Sequence, residues 1–116
     1  WQDTAKIENG RPFFKKYIPV IKQIAGAGWE PVTNASCNSD GVRIERFGGA
    51  GNLFFTVRNN SSLFASGIVF IDIQKLGIAP GFSVYELIEA MPVKTKGSKI
   101  FLDIPAGRTK VISVIQ

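Results

Sequence analysis

The side chains best suited to acid–base chemistry in this chain are nine carboxylates: Asp3, Glu8, Glu30, Asp40, Glu45, Asp72, Glu86, Glu89 and Asp103. No histidine occurs among the 116 residues. A Ser–His or Cys–His nucleophile is therefore impossible, and no plausible zinc ligand set can be assembled. What remains is a carboxylate pair of the kind that flanks a glycosidic bond. Asp72 and Asp103 are the closest to that description, because both sit within apolar runs. Each also falls in the outward phase of its run, so ordinary alternation accounts for both. Glu86 and Glu89 bracket the apolar pair Leu87–Ile88 near a strand end, a position that reads as a solvated rim. No catalytic residue, metal site or cofactor follows from this set.

Other reactive groups are few. Cys37 is the single cysteine, so no disulfide can form within the chain. With no base to activate a thiolate, it reads as a small, partly buried residue near a strand. The glycines of FGGAGN (47–52) lack the spacing of a phosphate-binding loop and precede a strand rather than a helix, so a hairpin turn is expected. Three acceptor triplets for N-glycans occur, beginning at Asn34, Asn59 and Asn60. Such triplets carry meaning only in a cell with the machinery to use them. Trp1, Trp29, Phe54 and Tyr85 are the aromatic residues considered for stacking on sugar rings. Packing is the ordinary role of each. Trp29, where helix gives way to sheet, is expected to plug the gap between those layers, whereas Phe54 and Tyr85 stay open.

These groups have to be held by something, and the hydrophobic pattern says what. Residues 13–25 carry Phe13, Tyr17, Val20, Ile21 and Ile24 at helical spacing, with Lys15, Lys16, Lys22 and Gln23 opposite. Phe14, Ile18 and Ala25 widen the apolar stripe. Asn9-Gly10 and Pro12 suit the start of a helix, Pro19 should bend it, and Gly26 and Gly28 should stop it. From there the period becomes two. Strands are expected at 42–47, 53–58, 66–74, 82–88, 99–104 and 109–115, with a short one within 91–98. Ile68 to Ile71 are expected to be buried on both sides. The fold class is thus mainly β: an antiparallel β-sandwich of about six to eight strands preceded by one N-terminal amphipathic helix. Residues 1–31 form the tail and helix, and 32–116 the sandwich.

Composition is that of a globular domain, with 45% hydrophobic and 20% charged residues. The formal charge of +5 is spread over Lys15, Lys16, Lys22, Arg43, Arg46, Lys94, Lys96, Lys99, Arg108 and Lys110. There is no run of five and no recognition-helix pattern, so no nucleic-acid partner is expected. No apolar run reaches membrane-spanning length, and no membrane partner is expected. No signal peptide is visible, but the chain starts at Trp1 rather than Met, which leaves its targeting and compartment open.

The order of pieces resembles a known arrangement. RPFFKKYIPVIKQIAGAGWEPVT, then VRIERFG, then LFFTVRNN, is similar to the C-terminal end of TIM-barrel glycoside-hydrolase-like proteins, in which a barrel is followed by a small β-sandwich. The ending, VYELI and then LDIPAGRTKVISV, is similar too. The resemblance spans about Arg11 to Ile115. It implies that the helix is the last one of an upstream barrel, or the link to it, and that the catalytic carboxylates lie in that barrel. None of them maps onto this chain. The function implied is a non-catalytic accessory domain, partnered through its helix with the upstream catalytic barrel or another chain, and associated with carbohydrate. A carbohydrate-binding module or a surface or pilus-like interaction domain are the alternatives. Phe13, Phe14, Tyr17, Ile18, Trp29, Phe54 and Tyr85 are the candidate ligand or interface residues.

Overall fold

The computed structural model describes residues 18–116. Helix α1 occupies residues 18–27. The strands that follow are β1 (Trp29–Glu30), β2 (Ala35–Cys37), β3 (Val42–Gly49), β4 (Asn52–Asn59), β5 (Ala65–Ile71), β6 (Ser83–Glu86), β7 (Met91–Val93), β8 (Thr95–Lys96), β9 (Lys99–Ile104) and β10 (Thr109–Ile115), with a short helix α2 (Ile73–Leu76) between β5 and β6. They form two antiparallel sheets. One has six strands in the order β1-β3-β4-β10-β6-β7, and the other has four in the order β2-β5-β9-β8. The expected mainly β, sandwich-like architecture with an N-terminal helix is what the chain adopts, with ten strands among the described residues.

The sheets face one another across a single apolar core. Leu53, Phe55 and Val57 of β4 and Ile112 and Val114 of β10 meet Val69 and Ile71 of β5 and Ile100, Leu102 and Ile104 of β9. These are alternate residues on each strand, as the two-residue period requires. Val42 and Ile44 pack against the same core, with Arg43 and Glu45 on the opposite side.

The six-stranded sheet is unusual in being apolar on its outer face as well. Phe54 and Val111, in the opposite phase to Phe55 and Ile112, are buried in a second cluster with Ile88 and with Val20 and Ile24 of α1. One stripe of α1 thus covers this face. Ile24 is 1% exposed, while Ile18, towards the other end of the helix, is 50% exposed. The helix exit is fixed by a close approach. The Gly48 N–H donates to the Gly28 carbonyl at 2.7 Å. Gly48 has φ of 79°, and a Cβ there would fall 2.0 Å from the Asn52 carbonyl and 3.1 Å from the Ala27 methyl. Only glycine fits.

Two sequence expectations need correction here. The stretch 66–74 is not one strand buried on both sides. It ends at Ile71, because Asp72 caps α2 by accepting from the Lys75 N–H at 3.1 Å, and Gly77, in the left-handed conformation, closes the helix. Within β5 only alternate residues face the core, and Ile68 and Phe70 lie on the outer face, where Phe70 is exposed. The bend expected at Pro19 depends on Lys15, which lies outside the described residues.

If α1 is part of the folded core, Ile24→Ala should lower stability in urea unfolding by about 2–5 kcal/mol. Ile18→Ala should change it by no more than about 0.5 kcal/mol. Equal, small effects would show that the helix does not seal the sheet.

Candidate functional site

The candidate carboxylates are placed by elements that commit each of them. Asp72 is the cap of α2. Asp103 lies in the outward phase of β9 and accepts from the Ser66 hydroxyl at 2.9 Å. Glu89 is exposed and pairs with Lys110. Glu86 is not on a solvated rim, as the sequence suggested. It is 2% exposed, and its carboxylate accepts from the backbone N–H groups of Glu89 and Val111, the latter at 2.7 Å. The reason is local: β6 ends at Glu86, the chain turns through Leu87 to Ala90, and the carboxylate supplies the acceptors which that turn and the start of β10 require. Glu86, Glu89 and Asp103 border one hollow of about 280 Å³, together with Lys94 and Lys110. No group of three or more metal-ligating side chains occurs among the described residues.

The aromatic candidates are drawn into one row. Cross-strand register on the six-stranded sheet pairs Trp29 with Phe47, Phe47 with Phe54, Phe54 with Ser113, Ser113 with Tyr85, and Tyr85 with Pro92. Trp29, Phe54 and Tyr85 therefore share the outer face. They do not share exposure: Phe54 is buried beneath α1 and Tyr85 is half-buried. Trp29 is 57% exposed, which corrects its expected role as a plug. The space between helix and sheet is already closed by Ile24 and by the Ala27–Gly48 approach. Among the described residues, Trp29 stands on the edge strand, with Phe47 on one side and no strand on the other. Ile18 is an exposed residue of α1; Phe13, Phe14 and Tyr17 lie outside the described residues.

Beside α1 the same face opens into a groove of about 450 Å³. Arg43 and Arg58 are direct cross-strand neighbours there. Both are engaged: Arg43 with Glu45 at 3.5 Å, and Arg58 with the side chains of Asn60 at 2.7 Å and Thr109 at 3.1 Å. Arg46, on the opposite side of β3, pairs with Glu30 at 3.6 Å across β1.

On the far side of the molecule, the outer face of the four-stranded sheet carries a different group. Lys96 and Lys99 are cross-strand partners. The Lys99 ammonium lies 5.9 Å from the Phe70 ring centre, and the Lys94 ammonium 5.8 Å from that of Phe101. Beyond Phe70 lies an open hollow of about 700 Å³, bordered by Ser36, Asp72, Lys75 and Ser98. Nothing in the sequence marked this face. Its lysines are spaced as ordinary surface charges, and Phe70 sits in a run that reads as buried.

The glycan triplets separate on burial. The Asn59 side chain is fully buried and uses its whole amide: the nitrogen donates to the carbonyls of Leu63 and Ile104, at 2.7 and 2.9 Å, and the oxygen accepts from the Ser61 N–H and hydroxyl. No transferase can reach it in the folded chain. Asn60 is exposed, and Asn34 is half-buried with φ of 54°. Cys37 is half-buried on β2 against the core, in keeping with its sequence reading.

Comparison with protein-family models, with curated proteins and with solved structures yields no match to this chain.

Trp29→Ala should melt within about 0.5 kcal/mol of the parent, as for an exposed side chain. Glu86→Ala should cost at least about 2 kcal/mol, because two backbone donors lose their acceptor in a buried place. A large loss from Trp29→Ala together with a silent Glu86→Ala would invert this assignment of roles.

Proposed function

We propose that this chain is a non-catalytic accessory β-sandwich domain, forming the C-terminal part of a larger glycoside-hydrolase-like protein and docking through its helix side onto an upstream catalytic barrel. The observation that carries this reading is the placement of α1. Its Val20 and Ile24 stripe is spent on the sheet, yet Ile18 still points apolar surface outward at the end from which the preceding chain arrives. At the opposite end Ala27 closes on Gly48. A sandwich that follows a barrel needs such a contact: one part sealed to itself, one part left for its neighbour. The commitment of Asp72, Asp103, Glu86 and Glu89 to caps, turns and surface pairs is consistent with chemistry being done elsewhere.

A carbohydrate-binding module is the second reading, and the exposure of Trp29 favours it. An exposed indole on an edge strand, with Phe47 beside it, is a platform a sugar ring could use. The burial of Phe54 in the same row counts against a long platform.

Two measurements test the proposal. The full reading frame should carry a few hundred further residues upstream of Trp1, with alternating strand and helix patterns. A frame beginning within a few tens of residues of Trp1 would contradict the accessory reading. The chain alone should show no turnover above buffer on a panel of aryl glycosides and polysaccharides. Turnover abolished by Asp72→Asn or Asp103→Asn would overturn the non-catalytic assignment.

A further inference from the structure

Among the described residues, three lysines on the outer face of the four-stranded sheet form no ion pair. The ion pairs among the described residues are Arg43–Glu45, Arg46–Glu30 and Lys110–Glu89, and none involves Lys94, Lys96 or Lys99. The nearby acids are occupied: Asp103, at the far end of β9, holds the Ser66 hydroxyl, Asp72 caps α2, and of the two that share a hollow with Lys94, Glu86 accepts from backbone N–H groups and Glu89 pairs with Lys110. Lys96 and Lys99 are also directly opposite one another. Like charges in that register repel, and a sheet keeps them at a cost in stability.

The lysines do not trail freely. The ammoniums of Lys94 and Lys99 are held near the rings of Phe101 and Phe70, within cation–π range. Phe70 and Phe101 are diagonal neighbours, because Phe70 pairs with Lys99 and Ile68 with Phe101. The face is therefore an apolar floor of Ile68, Phe70 and Phe101 with cations fixed above it. Contrast the groove beside α1, where both arginines already have partners.

We propose that this face binds an anionic polysaccharide, one that presents carboxylates along a chain of sugar rings. Carboxylates would relieve the Lys96–Lys99 repulsion and draw the Lys94 and Lys99 ammoniums off the Phe101 and Phe70 rings, which frees those rings for the apolar faces of the sugars. Lysine ammoniums pair with carboxylate and phosphate alike, and the oligo-dT arm of the test below separates the two. The choice of a glycan rests on the carbohydrate-associated reading above; the unpartnered cationic face does not.

The test is a titration of the purified 116-residue chain with polygalacturonate, with its fully methyl-esterified form, and with an oligo-dT strand, followed by amide chemical-shift mapping. Binding to polygalacturonate alone is expected, with shifts clustered at residues 68–70 and 94–101. Raising the salt from about 50 to about 500 mM should weaken it, since exposed charges are screened. Replacing Lys94, Lys96 and Lys99 together by Gln should weaken it about tenfold without lowering the melting temperature, since the Lys96–Lys99 repulsion is removed with the charges. No binding, or binding that the triple variant retains, overturns the proposal. Oligo-dT binding as tight as polygalacturonate also overturns it, in favour of a nucleic-acid partner. A chain that ignores polygalacturonate although its reading frame runs into a barrel contradicts this proposal alone. Binding by a chain with no upstream domain contradicts the accessory reading alone.

Discussion

Strands β4 and β10 are apolar on both faces, and the architecture follows from that constraint. Phe54 and Phe55 are consecutive and both buried, as are Val111 and Ile112. Alternation sends one of each pair to each side of the sheet, so the sheet needs cover on both sides. The four-stranded sheet supplies it on one side and α1 on the other. The Val20 and Ile24 stripe of the amphipathic helix in front of the sheets is thereby explained: it covers the outer face of the six-stranded sheet. Burying an aromatic or branched aliphatic side chain contributes about 1.5–3 kcal/mol. Leaving Phe54 and Val111 in water would therefore be a serious loss for a domain whose net stability is of order 5–15 kcal/mol.

Two buried polar residues fix the ends of this layered core. Asn59, at the end of β4, ties the loop after it to β9 and, through its backbone, to the turn before β10: the Asn59 N–H donates to the Arg108 carbonyl and its own carbonyl accepts from Gly107. Glu86 performs the corresponding task between β6 and β10. Each is costly to bury and each is fully used, which is the condition under which a buried polar group specifies one arrangement. Their place in the fold is structural, and that is why neither reads as a reactive group despite its burial.

Sequence and structure agree wherever period decides. The strands around Val42, Leu53, Ile100 and Thr109 and the stripe through Val20 and Ile24 are local patterns, and local patterns survive folding. Trp29 shows where that logic stops. Its position between helix and sheet was visible, but the gap it was expected to fill is closed by Ala27 against Gly48, a contact between residues far apart in the chain. The helix at Ile73–Leu76 is missed by the sequence reading, which runs a strand through 66–74, because the apolar run masks the cap at Asp72 and the stop at Gly77. The burial of Asn59 and Glu86 had no local signal at all, because the donors and acceptors they satisfy come from distant turns. The row through Trp29, Phe54 and Tyr85 and the face built from Lys94, Lys96, Lys99, Phe70 and Phe101 depend on register, which pairing sets and composition does not reveal.

The two outer faces therefore differ in kind. One is largely closed by the chain's own helix, with Ile18 and Trp29 exposed at its rim and a groove beside the helix. The other is open, cationic and floored with rings. Native-state hydrogen exchange tests the helix-as-cover account most directly. Amides in residues 22–27 should be protected to the same free energy as those of β4 and β10, because exposing Phe54 and Val111 would require the whole unit to open. Exchange of the helix amides through openings roughly 3 kcal/mol or more below the global value would show α1 to be a loosely attached appendage and would contradict it.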